Sequence, residues 1–260
     1  MARLAARRAT LVRAPNPGPM TLDGTNTWVL AEPGANRSVV VDPGPLHEEH
    51  LRAVVAASEA RGCAVGLVLL THGHDDHAEG AAWFAELAGR VPVRALDPAH
   101  RLGGEGLAGG DVVVVDGLEV RVVSTPGHSA DSLSFVLPAD RVMLTGDTVL
   151  GRGTAVVAWP DGRLADYLDS LRRLRALAQS GEVATVLPGH GPVLEERALE
   201  AIDYYLAHRA ERLAEVEAAV AAGDRTPAEI VRRVYADVDP SVWPAAELSV
   251  RAQLEYLGGL

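Results

Sequence analysis

Short apolar runs separated by turn residues are the dominant pattern along the chain. The runs that predict strands cover residues 39–41, 67–70, 112–115, 118–123, 133–137, 142–145 and 183–187. Several of them lack polar alternation, which indicates strands that are buried on both faces. Asp116-Gly117 separates two of the runs and predicts a hairpin turn.

Apolar residues at helical spacing lie between these runs. This spacing predicts helices over residues 50–60, 81–88 and 164–177. The order of the predicted elements favours a layered α/β protein over a simple doubly wound sheet. Two early strand runs and a helix come first, and paired strands with further helices follow.

The chain is expected to be helical from about residue 195 onward. Thr226-Pro227-Ala228-Glu229 is a capping box with proline at the first helical position, which marks a helix start. A last helix is predicted over residues 244–257. We therefore expect a main domain over residues 1–205 and a small helical appendage over residues 206–260.

An apolar stripe runs along the first helix of this appendage. Its members have spacings of 7, 3 and 4 and are Leu206, Leu213, Val216 and Val220. The stripe would suit a homodimer interface, although packing within the domain is the commoner reason for such a pattern.

Composition narrows the class of protein. The chain has 260 residues, 48% of them hydrophobic, which is ordinary for a globular protein with a substantial core. The net charge of −11 gives little of the counterion release that drives non-specific nucleic-acid binding. No apolar stretch is long enough to span a membrane, and no apolar run follows the basic N-terminus, so we expect a cytoplasmic protein. Cys63 is the single cysteine and predicts a small buried thiol.

The strongest chemical signal is a His-x-His-x-Asp-His cluster after a predicted strand. It reads Thr71-His72-Gly73-His74-Asp75-Asp76-His77. In an extended loop, His72 and His74 project to the same side and can bind one metal ion together. Asp76 and His77 lie where the chain turns into the next helix and can face a second ion. Imidazole and carboxylate ligands suit Zn²⁺, and also Fe or Mn.

Three further candidates follow strands in the same manner. They are His128, Asp147 and His190. A glycine directly precedes each of the three and also His74, and glycine lets the backbone approach a crowded centre closely. A single such residue is usually a solvated loop residue, but seven of them in this context indicate a metal site. The remaining histidines lack that context and are interpreted as structural or surface residues: His47, His50, His100 and His208.

The order of these motifs resembles the metallo-β-lactamase superfamily. The resemblance implies an αββα sandwich with two divalent metal ions at one edge. Zn²⁺ is the metal expected first. It implies that metal one is held by His72, His74 and His128. It implies that metal two is held by Asp76, His77 and His190, with Asp147 bridging both ions. Asp42 matches the first motif of the superfamily, usually a supporting carboxylate outside the ligand set.

The same resemblance implies hydrolysis by a metal-bridging hydroxide that attacks a carbonyl carbon or a phosphorus atom. Asp76 and Asp147 would orient the water, and either could shuttle a proton. Residue 74 is His, whereas the flavodiiron relatives carry an acidic residue there, which argues against redox chemistry. Asp75 is expected to be solvated or to begin a helix.

Segments 23–27, 146–154 and 188–193, together with His208-Arg209, resemble the β-lactamase-like protein 2 group. That likeness implies cleavage of single-stranded RNA and a winged-helix-like C-terminal part. The expected wing has no counterpart where the sequence reaches Leu257-Gly258-Gly259-Leu260. The acidic charge and the few aromatic residues instead favour a thioester or ester hydrolase of the glyoxalase II type. β-Lactamase and persulfide dioxygenase activities are weaker alternatives.

Overall fold

Two β-sheets packed face to face form the centre of the protein. The computed structural model describes residues 2–258. Its strands are β1 (Arg3–Ala6), β2 (Ala9–Arg13), β3 (Asn26–Leu30), β4 (Arg37–Val41), β5 (Ala64–Leu69), β6 (Val93–Arg94), β7 (Val112–Val115), β8 (Leu118–Ser124), β9 (Leu133–Leu137), β10 (Val142–Gly146) and β11 (Thr185–Pro188). The first sheet has the order β1-β2-β3-β4-β5-β6, and the second has the order β11-β10-β9-β8-β7.

Helices cover the outer face of each sheet. They are α1 (Glu48–Glu59), α2 (Asp75–Ala78), α3 (Ala81–Leu87), α4 (Leu164–Gln179), α5 (Ala198–Ala221), α6 (Pro227–Val234) and α7 (Trp243–Tyr256). Helices α1 and α3 pack on the first sheet, whereas α4, α5 and α7 pack on the second. The layers therefore follow the predicted αββα order. Across residues 2–258, no helix is long and apolar enough to span a bilayer.

The buried strands explain why apolar runs dominate the sequence. In β3, Trp28 and Leu30 face the core between the sheets, where they meet Phe135 and Leu144 of the second sheet. Val29 lies between them and faces the helical layer. Because neighbouring side chains of a strand point to opposite faces, a strand covered on both faces is apolar at most positions. Its buried polar residues need hydrogen-bond partners, as Asn26 has in the Pro188 and Gly191 carbonyl oxygens.

The C-terminal helices form a small core of their own. This core contains Val216 of α5, Ile230 of α6 and Val250 of α7, all fully buried. Packing within the chain thus accounts for Val216 in the predicted stripe, while a homodimer remains a prediction. Helix α5 runs without a break through residues 205 and 206, so the proposed domain division lies inside one helix.

The structure refines several local predictions. The hairpin at Asp116-Gly117 is confirmed, with φ values of +46° and +88° as a type I′ turn requires. Cys63 is buried, with 3% of its surface exposed, as expected.

Strands β1, β2, β3 and β6 were not predicted. Their apolar runs are short, and β6 has only two residues, Val93 and Arg94, which are held by pairing with β5. Within the described part of the chain no strand follows β11, and Gly259 and Leu260, on which the expectation about a wing partly rests, lie outside it.

Candidate metal centre

The seven predicted side chains meet at one edge of the two sheets. His72 and His74 follow β5, His128 follows β8, Asp147 follows β10 and His190 follows β11. Strands β10 and β11 are parallel, as are β4 and β5, so their carboxyl ends lie on the same side. Asp76 and His77 belong to the short helix α2, which starts directly after His74.

Three histidines form the first group of facing nitrogen atoms. His72 Nε2 and His128 Nε2 each lie 3.1 Å from His74 Nδ1. The three ligand atoms lie within 4.8 Å of one another. His72 and His128 are buried, whereas 45% of the His74 side chain is exposed. His74 therefore faces the solvent-accessible side of this group.

Asp76, His77 and His190 form a second group. His190 Nε2 lies 3.1 Å from Asp76 Oδ2 and 3.2 Å from His77 Nε2. His77 Nε2 and Asp76 Oδ2 are 3.4 Å apart. This group is more deeply buried than the first, because His77 and His190 are almost fully enclosed.

Asp147 lies between the two groups. Its Oδ1 is 3.4 Å from His77 Nε2, and its Oδ2 is 3.3 Å from His190 Nε2 and 3.8 Å from His128 Nε2. The Oδ1 atom is buried and has no hydrogen-bond partner among the described residues. One carboxylate can thus reach both groups.

The arrangement fits divalent metal ions. Ligand atoms at about 2.0–2.1 Å from a tetrahedral Zn²⁺ lie roughly 3.3 Å from each other. In the first group, His74 Nδ1 lies 3.1 Å from each of the other two ligand atoms. In the second group, the three ligand atoms are 3.1, 3.2 and 3.4 Å apart. The unpartnered Asp147 Oδ1 is a further sign, because a buried carboxylate oxygen is costly unless a cation or donor meets it.

Hydrogen bonds from the surrounding protein fix the orientation of the buried histidines. His72 Nδ1 lies 3.0 Å from Thr71 Oγ1, and His77 Nδ1 lies 2.8 Å from Asp42 Oδ2. His128 Nδ1 donates to the carbonyl oxygen of Val156 at 2.7 Å. Each contact occupies the outer nitrogen and leaves Nε2 facing the centre, as is usual for histidine ligands of metals.

Asp42 contacts the ligand loop and does not line the centre itself. Its carboxylate is 1% exposed, and it accepts hydrogen bonds from the backbone N of Thr71 at 2.8 Å and from Thr71 Oγ1 at 2.6 Å. A third bond comes from His77. Asp42 therefore ties the loop after β5 to helix α2.

The charges of the centre are strongly coupled. Burial would raise the pKa of Asp76, but His77 and a hydrogen bond from His190 lower it to about 2. Burial likewise disfavours ionised Asp147, yet His77 and His190 hold its pKa well below the ordinary value. Burial would lower the pKa of His190, but hydrogen bonds to Asp147 and Asp76 raise it to about 9. Positive charge beside the two carboxylates thus keeps them ionised, and a divalent ion bound there would supply such charge.

Two of the glycines that precede the candidate ligands are required by close packing. A side chain at Gly189 would collide with Asp147 Oδ1 and with the ring of His77. Gly127 has φ +128° and lies against the backbone of Tyr167, so a side chain there would be both strained and blocked. These contacts confirm the close approach that the glycine pattern predicted.

The structure adds residues that were not singled out. Thr25 Oγ1 donates to Asp76 Oδ2 at 3.2 Å. Asn26 Nδ2 donates to the carbonyl oxygens of Pro188 and Gly191, at 3.0 Å and 2.9 Å, and so holds the loop that carries His190. Both residues lie in segment 23–27. The resemblance of this segment to a known family was the one signal in the sequence that could have pointed to them.

A third group of facing ligand atoms, from His72, His77 and Asp147, overlaps the other two, and over residues 2–258 the other four histidines lie outside all three ligand groups. His50 is buried and contacts Thr27 Oγ1 and the Pro43 carbonyl oxygen, each at 3.0 Å, and burial lowers its pKa to about 4. His47 caps α1 through its contact with the backbone N of His50. These two are structural, as expected.

A cleft with a volume of about 170 Å³ opens above the centre. Met20, Val156 and Ala158 form its apolar walls. Asp161 lies at its rim, where Oδ2 is 3.8 Å from His74 Nε2. Within residues 2–258, no arginine lines this cleft.

Comparison with known proteins identifies the family. Residues 20–190 match the family model described as the metallo-β-lactamase superfamily. The chain belongs to this superfamily. It is a metallo-β-lactamase-fold hydrolase whose histidines and aspartates are arranged to bind metal. Residues 226–258 match the β-lactamase associated winged helix domain.

Two relatives illustrate the range of similar proteins. A β-lactamase-like protein 2 homolog of Caenorhabditis elegans is 31% identical over 256 residues, which cover 95% of this chain and 83% of that protein. An atrochrysone carboxyl ACP thioesterase of Aspergillus fumigatus is 38% identical over 194 residues, which cover 72% of this chain but only 57% of the thioesterase.

Solved structures share the fold of this metallo-β-lactamase superfamily member. A β-lactamase domain protein of Burkholderia ambifaria has a TM-score of 0.81 at 24% identity, with 99% of this chain and 87% of that chain covered. A metallo-β-lactamase family protein of Thermus thermophilus has a TM-score of 0.77 at 23% identity, with 95% and 92% covered.

Proposed function

We propose that this protein is a two-metal thioester hydrolase for small-molecule substrates. The observation that carries the proposal is the cleft above the centre, which has apolar walls, a carboxylate at its rim and no arginine. Such a cleft fits a neutral acyl group, and no arginine among its described lining residues is there to bind successive phosphates. The relative named as an ACP thioesterase supports the same reaction class.

The proposed ligand sets follow the two groups of facing atoms. His72, His74 and His128 hold one ion, and Asp76, His77 and His190 hold the other. Asp147 serves both ions. Zn²⁺ is the first choice because neutral imidazole and carboxylate suit it, with Fe and Mn as the other options.

The chain's own residues orient the reactants. Two divalent ions, when bound, supply Lewis acidity and a water molecule of lowered pKa. Asp147 Oδ1, which has no partner of its own, is placed to accept a hydrogen bond from that water. Thr25 and His190 hold Asp76 Oδ2 in position. The water oxygen joins the carbonyl carbon, the carbon–sulfur bond breaks, and the water protons leave with the acid and the thiol.

Endoribonuclease activity is the second candidate. It is favoured by similarity along nearly the whole chain to proteins named β-lactamase-like protein 2 homologs. Single-stranded RNA needs cationic contacts to successive phosphates and aromatic stacking. The cleft above the centre offers neither, and therefore we rank this candidate second.

A parallel assay on acyl thioesters and on single-stranded RNA tests the proposal. We expect thioester turnover that requires metal, is lost in His72→Ala and changes little with salt. Purified protein should contain close to two divalent ions per chain by elemental analysis. Turnover of RNA alone, with a steep decline as salt increases, would replace the thioesterase proposal with the nuclease.

A further inference from the structure

A second cleft adjoins the metal centre and differs from it in charge. Its volume is about 280 Å³, and it lies between the C-terminal helices and residues 154–156. Met20 and Val156 belong to the walls of both clefts, so the two spaces are neighbours. Val156 is also the residue whose carbonyl oxygen orients His128.

Among residues 2–258, the lining of the second cleft carries two arginines and no carboxylate. Its members are Pro19, Met20, Thr154, Ala155, Val156, His208, Arg209, Arg212, Tyr235, Val238, Val242, Ala245, Ala246 and Ser249. The whole chain carries a net charge of −11. Two arginines without an acidic neighbour among the described lining residues therefore give this cleft a charge opposite to that of the whole chain.

Arg209 is the most unusual member of the lining. It is 7% exposed, and within residues 2–258 no carboxylate oxygen lies within 4.0 Å of its guanidinium. One Nη donates to the carbonyl oxygen of Ala155, and the guanidinium lies 5.1 Å from the ring centre of Tyr167. Its Nε is buried without a partner. A buried cation without a counter-ion is costly unless a ligand supplies the negative charge.

Arg212 lies one helical turn further along α5 at the same cleft. Its guanidinium is 4.4 Å from the ring centre of Tyr235 and donates to the Val234 carbonyl oxygen at 2.6 Å. Its partner Glu215, at 2.8 Å, is outside the cleft lining and half exposed. The neighbouring His208 has a buried Nδ1 without a partner. Arg209 Nε and His208 Nδ1 are thus buried without a partner at a cleft that Arg212 also lines.

We propose that this cleft binds the anionic group, a phosphate or carboxylate, carried by the thiol half of the substrate. The inference rests on the proposed thioesterase function: the acyl carbonyl lies at the metal centre while the thiol half extends past Met20 and Val156. A cleft of this size holds one small anionic group, whereas RNA would need a continuous cationic track. Arginine forms paired, charge-assisted hydrogen bonds with both kinds of anion.

Equilibrium binding of thioethers tests the inference without requiring turnover. S-methyl-coenzyme A carries phosphates and S-methylglutathione carries carboxylates, and neither has a free thiol to bind the metals. Arg212→Met keeps the apolar stem over Tyr235 but removes the charge. We expect it to weaken binding of at least one thioether by about 10- to 100-fold, the range for a lost charge-assisted hydrogen bond. Arg212→Lys should restore part of the affinity.

Arg172→Met is the matched control, because Arg172 is an exposed residue of α4 paired with Asp169. It should change binding by less than about twofold and leave thermal unfolding unchanged, as expected for a surface substitution. Thermal unfolding of Arg212→Met, which loses the bonds to Val234 and Glu215, shows that the variant is folded when its binding is measured. Thioether binding that is absent, or that does not depend on Arg212, would overturn the inference. The inference would also be overturned if binding of an RNA oligonucleotide depended on Arg212 and binding of both thioethers did not.

The same measurements separate this inference from the proposed function. Thioester turnover together with Arg212-independent binding would overturn the inference and leave the thioesterase standing. Arg212-dependent thioether binding in a protein that hydrolyses no thioester would overturn the proposed function alone.

Discussion

At the scale of single residues, Asp147 is the side chain that lies between the two groups of facing ligand atoms and can reach both. Its two oxygens lie 3.3–3.8 Å from the Nε2 atoms of His77, His128 and His190. His128 belongs to the first group of facing ligand atoms, and His77 and His190 belong to the second. Removing this carboxylate would leave two histidine clusters with no shared ligand. Its neighbours His77 and His190 would also lose the anion that raises their pKa values.

Asp147→Ala is therefore expected to reduce kcat/KM by more than about 100-fold, beyond the range typical for residues outside the ligand set. Elemental analysis should show fewer than two ions per chain. Asp75→Asn is the control, since Asp75 is exposed in the same cluster and lies in none of the three ligand groups. Full metal content and activity in Asp147→Ala would contradict the proposed role of this carboxylate.

At the scale of elements, the ends of strands and helices carry both the chemistry and the clearest local signals. The candidate ligands follow β5, β8, β10 and β11 because tight glycine turns at those ends allow side chains to face one centre. In the C-terminal part, Thr226 and Glu229 form the predicted capping box at the start of α6. Local residue chemistry was sufficient to place this helix start.

Thr226→Ala is expected to destabilise α6 by about 1 kcal/mol, because it removes a hydrogen bond to an unpaired helical N–H group. Thr226→Ser keeps the hydroxyl and should be nearly neutral. Native-state hydrogen exchange of the α6 amides gives the local free energy of opening. Equal protection in the alanine and serine variants would show that packing alone sets the stability of this helix.

At the scale of the whole molecule, three packed cores support the metal centre from outside. The inter-sheet core and the two sheet–helix cores are built from hydrophobic side chains and contain none of the candidate ligands. The centre itself holds two buried or half-buried carboxylates whose charge an ion balances. Metal removal should therefore leave a folded but less stable protein.

An ion at about 1,000 times its Kd adds about 4 kcal/mol of stability, or roughly 8–16 °C in Tm for a protein of this size. We expect dialysis against a chelator to lower Tm within this range while far-ultraviolet circular dichroism is retained. Added Zn²⁺ should restore the parent Tm. His72→Ala should show a smaller response to the chelator. An unchanged Tm in the parent protein would count against a metal bound at the centre.

Much of the fold and of the centre could be predicted because the signals are local. Strands covered on both faces are mostly apolar, and therefore β9 and β10 were visible as runs. Strand β8 was visible because its buried apolar residues alternate with exposed polar ones. The seven candidate ligands were visible because each follows a strand, and four follow a glycine. Strands β1 and β6 were missed because pairing with neighbours, not residue pattern, creates them.

The sequence by itself determined the layered α/β class, the identity of the clustered histidines and aspartates, and the start of α6, since all three depend on short-range patterns. The αββα order came from the family resemblance. Only the tertiary structure decided that Asn26 holds the loop that carries His190. Asn26 bonds to Gly191 of this loop, from which it is 165 residues distant along the chain. It also decided that Arg209 and Arg212 line a cleft beside the metal centre. In the sequence these arginines are ordinary members of a charged helix. Packing of α5 against residues 154–156 is what buries one of them without an acidic partner.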